Sequence, residues 1–216
     1  MKSVSEAPTS GAKQRAADAR CAAMVHHARR QIRAEGLQRF STNEVLRLSG
    51  GSKATLAKYF GGRMGLVAAA IAEEAREATA TLAITYGDAG DRPLGESLID
   101  LLSGILRFYL TPGSLSLYRT VIAAADQDPG MAMAFYQQGH SLVRDAVADF
   151  IASRRSDLAP AVDARDAADC LLHAIRAGVY EKALLNLIPL PVPDAEIRGQ
   201  VAQTVALMLP GLHAIA

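Results

Sequence analysis

Between Ser41 and Arg63 the chain reads STNEVLRLSGGSKATLAKYFGGR, a stretch rich in hydrogen-bond donors. Ser52, Lys53, Thr55, Lys58 and Tyr59 fall on one side of a short helical pattern, with Thr42 and Arg63 flanking it. Hydroxyls, ammonium groups and a guanidinium set out in this way donate to phosphate oxygens and to base edges. None of these residues forms a nucleophile–base pair or a metal-ligand set. The chemistry on offer is recognition of a polyanion.

Two short helices and a turn must position those donors. Ser41 and Glu44 fit a capping box, in which a hydroxyl takes a helical N–H and a carboxylate reaches back to the cap. Val45 and Leu48 are expected on one inward face. Gly50 and Gly51 break the helix, because glycine accepts the left-handed backbone of a sharp turn. Ser52 caps the next helix, whose Leu56 and Phe60 turn inward at i, i+4. This is a helix-turn-helix, with a second helix short enough to lie in a major groove.

The segment SKATLAKYFGGRMGLVAAAI resembles the recognition helix and fourth helix of the TetR family of bacterial repressors. With ADARCAAMVHHARRQIRAEG as a first helix, the likeness covers residues 16 to 75. It departs from the family at Gly51, where a small branched residue is usual, and at Ala57, where an aromatic is usual. The glycine should loosen the turn, and the alanine removes one expected contact to DNA. A second segment, LYRTVIAAADQDPGMAMAFYQQG, looks like the C-terminal domain of AefR-like members. The resemblance implies an all-α chain in three parts. Residues 1–12 form a flexible arm, 13–62 a helix-turn-helix domain, and 63–216 a helical ligand-binding and dimerisation domain.

Charge agrees with that division. Residues 1–65 carry 12 Lys and Arg against 4 Asp and Glu, whereas residues 66–216 carry 11 against 18. A basic head on an acidic body suits a polyanion-binding module joined to a part that stays off the polyanion. Half of the residues are hydrophobic, 5% are aromatic, and no Trp occurs, a composition that favours helices. Cys21 and Cys170 are read as small buried residues of a reducing compartment. No secretory apolar core and no membrane-length apolar run is present, so a soluble cytoplasmic protein is expected.

Along the chain, a basic arm with Lys13, Arg15 and Arg20 leads into a first helix over 13–35. Its buried stripe is expected to be Cys21, Val25, Ala28 and Ile32. His26 and His27 are adjacent, so on a helix they diverge by about 100° and cannot share a metal on one face. A fourth helix over 63–86 links the two parts, and 87–93 is a loop. Further helices are expected over 94–110, 114–125, 130–155, 163–187 and 194–209. The last two begin at Asp163 and Asp194, read as caps. The helix from Asp163 is apolar nearly all round, and Ile197, Val201, Val205 and Met208 add to it. Residues 163–209 are therefore expected to pair two identical chains.

No HExxH, no CxxC pair, no phosphate loop and no GxSxG occurs, so no enzyme, metal site or cofactor is expected. In the body, Phe108, Tyr109, Tyr118, Phe135, Tyr136, His140, His173 and Tyr180 stand among small alanines. Large rings beside small residues can line a ligand cavity; the alternative is an ordinary core. The expected function is a DNA-binding repressor, homodimeric on a palindromic operator and released by a small-molecule effector. The rival reading is a helical protein-interaction adaptor without operator specificity.

Overall fold

The computed structural model describes residues 10–87, 92–127 and 129–213, and among them every regular element is helical. The helices are α1 (Ser10–Glu35), α2 (Thr42–Ser49), α3 (Lys53–Phe60), α4 (Arg63–Gly87), α5 (Leu94–Tyr109) and α6 (Pro112–Ala124). They continue with α7 (Pro129–Phe135), α8 (Ser141–Ser153), α9 (Ala164–Ala174), α10 (Val179–Leu184) and α11 (Asp194–Leu212). Two compact units result, one ending at Ala70 and the other beginning at Ile71. Most of the expected arm lies outside the described residues, but Ser10 is already helical, ahead of the expected start at Lys13.

In the first unit α1 packs on α2. The stripe it buries is Met24, Ala28 and Ile32 rather than one led by Cys21 and Val25, which are only half-buried. Gly51 explains the shift. A Cβ at Gly51 would lie 2.9 Å from Met24 Sδ, 3.1 Å from Ser49 Oγ and 3.3 Å from Leu46 Cδ2. Met24, fully buried, thus takes up the space that a branched turn residue would occupy. The inward pair on α2 is Val45 and Leu46; Leu48, about 200° round the helix from Leu46, is 48% exposed. Gly50 and Gly61 end α2 and α3 in the left-handed region, at φ 64° and 68°.

The second unit is built around α5, which buries Leu94, Leu98, Leu101, Leu102, Ile105 and Leu106. It packs on α11, and α8 packs on α9. Each of those fully buried leucines contributes about 1.5–3 kcal/mol of transfer free energy. Thr111 and Pro112, just past the end of α5, start α6: the Thr111 hydroxyl accepts from Ser114 N at 3.3 Å, and Pro112 occupies the first turn. The expected continuous helix over 130–155 contains a π turn at Tyr136–His140.

The expected helix from Asp163 to Leu187 is interrupted between α9 and α10, at Gly178 with φ 74°. Gln200 of α11 satisfies the interruption. Its Nε2 donates to the carbonyls of Ile175 (2.8 Å) and Ala177 (2.6 Å), while its Oε1 accepts from Val179 N at 2.9 Å. Asp163 caps α9 by accepting from Arg165 N and Asp166 N. Asp194 does not cap α11; its carboxylate pairs with Arg107 Nε at 2.9 Å instead. Ile197, Val201 and Val205, expected to face a partner, are buried in this unit's own core beside Leu171, Leu172 and Ile175. Cys170 is exposed, contrary to the reading of a buried thiol, and burial raises the thiol pKa of half-buried Cys21.

The Met24–Gly51 contact makes a swap testable. Gly51→Val alone should cost about 1–3 kcal/mol by overpacking, and Met24→Ala alone about 2–5 kcal/mol. In the double variant the new branched side chain fills the space left by Met24, and urea unfolding should show the two costs combining to less than their sum by at least about 1 kcal/mol.

Candidate nucleic-acid interface and buried cavity

The turn between α2 and α3 is held by side chains at each junction. Ser41 Oγ accepts from Glu44 N at 3.4 Å, giving half of the expected capping box. The other half is absent: Ser41 N donates to Gln31 Oε1 of α1 at 3.1 Å, and Glu44 turns to Arg47 at 2.6 Å. Arg47 offers a charge-assisted partner that a backbone N–H cannot match. Ser52 Oγ accepts from Thr55 N at 3.1 Å and lies 2.9 Å from Thr55 Oγ1, so the cap and the Thr55 side chain are linked.

On α3, Leu56 alone is buried, with Thr55 and Phe60 half-buried. Lys53, Ala57, Lys58 and Tyr59 are exposed, as is Ser52; Thr42 is half-buried at the start of α2. Lys58 Nζ lies 5.1 Å from the centre of the Tyr59 ring. Among the described residues neither Lys53 nor Lys58 has a carboxylate within ion-pair reach. Arg63 has a structural task that sequence reasoning missed. Its Nη2 donates to the carbonyls of Leu37 (3.2 Å) and Phe40 (3.3 Å), and the guanidinium lies over the Phe40 ring.

The second unit holds two adjoining chambers. The inner one, of about 50 Å³, is lined by Phe108 and Tyr109 of α5, Tyr118 of α6, Phe135, His140 and Tyr180, among others. The outer one, of about 230 Å³, is lined by Tyr118, Phe135, Tyr136, His140 and His173 together with Val121, Ile122, Ala125 and Ala132. All eight ring-bearing residues singled out from the sequence therefore stand around the same space. The π turn contributes here: it carries Tyr136 and His140, with ring centroids 5.0 Å apart. Such turns widen a helix by one residue and recur at functional sites.

Arg176, which sequence reasoning missed, lines both chambers. Its guanidinium lies 4.8 Å from the ring centre of Tyr109 and 6.0 Å from that of Tyr180, and Nη2 donates to His140 Nδ1 at 3.2 Å. Arginine only donates, so Nδ1 is the acceptor and Nε2 carries the proton toward Asp169 Oδ1 at 3.3 Å. Burial first, and then the Arg176 charge, hold His140 below its ordinary pKa, while Asp169 acts against them. Burial likewise raises the phenols of Tyr109 and Tyr180, which stay protonated donors. Among the described residues the buried Tyr109 hydroxyl and Arg176 Nε meet no partner in hydrogen-bond geometry, although the guanidinium lies close enough to the phenol to act against the effect of burial on its pKa. A single arginine inside the apolar run LLHAIRAGVY was the available signal. Outside the chambers, Arg119 of α6 donates to the carbonyls of Ala183 and Leu184 at 2.7 Å each, fastening the end of α10 to the helix that carries Tyr118.

The family profile of the AefR-like transcriptional repressor C-terminal domain matches residues 96–211, more than half of the chain. The chain belongs to the TetR family of transcriptional regulators. Solved TetR-family structures share its fold. A regulator from Mesorhizobium loti MAFF303099 superposes with a TM-score of 0.72 at 18% identity, covering 92% of this chain and 98% of that one. The TetR-family regulator SCO0332 gives 0.68 at 26% identity, covering 89% and 98%. The flavonoid-responsive regulator FrrA gives 0.61 at 20%, covering 91% and 98%. No curated protein matches. Among the described residues no helix of this TetR-family chain is long and apolar enough to cross a membrane.

The depressed His140 gives this regulator a pH signature. As pH falls below the ordinary histidine value of 6.5, the unfolded chain takes up a proton before folded His140 does. The stability held above that value is therefore lost as pH falls through the lower folded value. Thermal unfolding followed from about pH 7.5 to about pH 5 should fall more steeply for the native chain than for His140→Gln. Equal slopes would remove His140 from the acid-sensitive groups.

Proposed function

We propose that this TetR-family regulator is a repressor that binds a palindromic operator as a homodimer and is released by a small molecule held in the second unit. The observation that carries the DNA-binding reading is the outward face of α3, where Lys53 and Lys58 project without carboxylate partners from a helix fixed by caps at both ends. Lys53, Thr55 and Lys58 are assigned to base edges, and Thr42, Ser52 and Tyr59 to phosphates. Arg63 serves the interface by bracing the Leu37–Phe40 turn, since its Nη2 already holds two carbonyls. Ala57 is exposed beside these residues and supplies no aromatic contact of its own.

Dimerisation is assigned to the outer surface of residues 163–209. With Ile197, Val201 and Val205 turned inward, the apolar groups left outside are Leu185, Leu187, Leu190 and above all Leu207, which is 83% exposed. Apolar side chains exposed to that degree on one segment suit a partner copy. The chain is read as a non-enzymatic, cytoplasmic protein that needs no cofactor.

Mobility-shift titration with the DNA upstream of its own gene, in excess random DNA, should give a specific complex. Lys53→Ala and Lys58→Ala should each weaken it by about 1–3 kcal/mol, and Thr55→Ala should narrow the gap between operator and random DNA. Binding to both DNAs with equal strength would favour the adaptor reading. Sedimentation at micromolar concentration should show a dimer that Leu207→Glu converts to monomer; a monomeric native chain would remove the interface.

A further inference from the structure

The two chambers have a definite chemical asymmetry. Arg176 is the cation common to both, and among the described residues no carboxylate lies within ion-pair reach of it. The nearest acid in its network, Asp169, is engaged instead by His140 at 3.3 Å and by the distant end of Arg144 at 3.9 Å. A partly buried guanidinium without a counterion is costly, and so is each donor buried without an acceptor. Here the buried donors are Arg176 Nε and the Tyr109 hydroxyl, whose guanidinium and ring lie 4.8 Å apart; they interact with each other, and among the described residues neither reaches an acceptor oxygen in hydrogen-bond geometry. Both needs are met by one monoanionic, oxygen-bearing group.

Volume decides which part of a ligand goes where. A water occupies about 30 Å³ of liquid and a benzene ring fills an engineered cavity of about 150 Å³. The inner chamber, at about 50 Å³, is too small for a ring and suits a carboxylate. The outer chamber, at about 230 Å³, admits one ring or two fused rings, and its walls are the aromatic faces of Tyr118, Phe135 and Tyr136. We propose that the cavity binds an aromatic carboxylate, its carboxylate seated against Arg176 and the Tyr109 hydroxyl and its ring in the outer chamber. A single guanidinium matches a single negative charge; a phosphate dianion would arrive with charge that no second cation in the lining neutralises. This assignment rests on reading the second unit as the effector-binding body.

The test is calorimetric titration and thermal shift on the full chain without DNA, using benzoate and 2-naphthoate beside neutral benzamide and 2-naphthamide. The acids should bind, each at least about tenfold more tightly than its amide, as charge-assisted pairing requires. Arg176→Gln should erase the difference between acid and amide, and Tyr109→Phe should weaken the acids several-fold while leaving the amides unchanged. Should Arg176→Gln fail to fold, the native comparison and Tyr109→Phe decide the matter. Acids and amides bound equally, or no acid bound at millimolar concentration, overturns the proposal. Adding the winning acid to the mobility-shift assay separates the two readings: binding without operator release leaves this site standing and removes effector release.

Discussion

The second unit is organised around a positive charge kept inside an apolar body. Arg176 stacks on Tyr109 and Tyr180 and donates to His140, which in turn reaches Asp169. A guanidinium cannot discharge itself by losing its proton, so the surrounding structure has to supply its solvation. Two departures from regular helix sit beside it. The π turn carries His140 to the guanidinium, and the interruption after α9 carries Arg176 itself, with Gln200 satisfying the backbone groups that the interruption frees. Gly178 supplies the left-handed backbone of the second departure. Both departures bring their side chains to the charge.

The first unit obeys a different constraint, that of holding a short helix rigid while leaving its outer face free. An isolated helix of eight residues is marginal in water, and α3 spans only Lys53–Phe60. Its ends are therefore secured by Ser52 at one terminus and Gly61 at the other, and Leu56 anchors it to the core. Gln31, Met24 and Arg63 fasten the neighbouring turns. Because packing and capping supply the order, the exposed lysines are not needed as ion-pair partners to hold the helix.

Much of this was legible in the residues. The helical elements, the two caps Ser41 and Ser52, the glycine turn and the ring-bearing set around the cavity all follow from local chemistry or from apolar spacing. Several of the misreadings share one cause: they concerned which of two available partners a group would choose. Glu44 could bond to Ser41 N or to Arg47, and took the charged donor. Asp194 could cap α11 or pair with Arg107, and paired. On α1 the place expected of Cys21 in the buried stripe is taken by Met24, whose longer side chain reaches the space beside Gly51.

The sequence by itself determined the all-helical class, the basic head and acidic body, and the donors of α3, because caps, turns and periodicity act over a few residues. Tertiary structure alone decided that residues from α5, α6, the π turn, α9 and α10 share one space, and that Ile197 and Val201 face inward while Leu207 faces out. It also decided that, among the described residues, no carboxylate lies within ion-pair reach of Arg176. The reason is physical: a buried charge or an apolar face acquires its meaning from groups far away in the chain, and their arrival depends on how the helices pack.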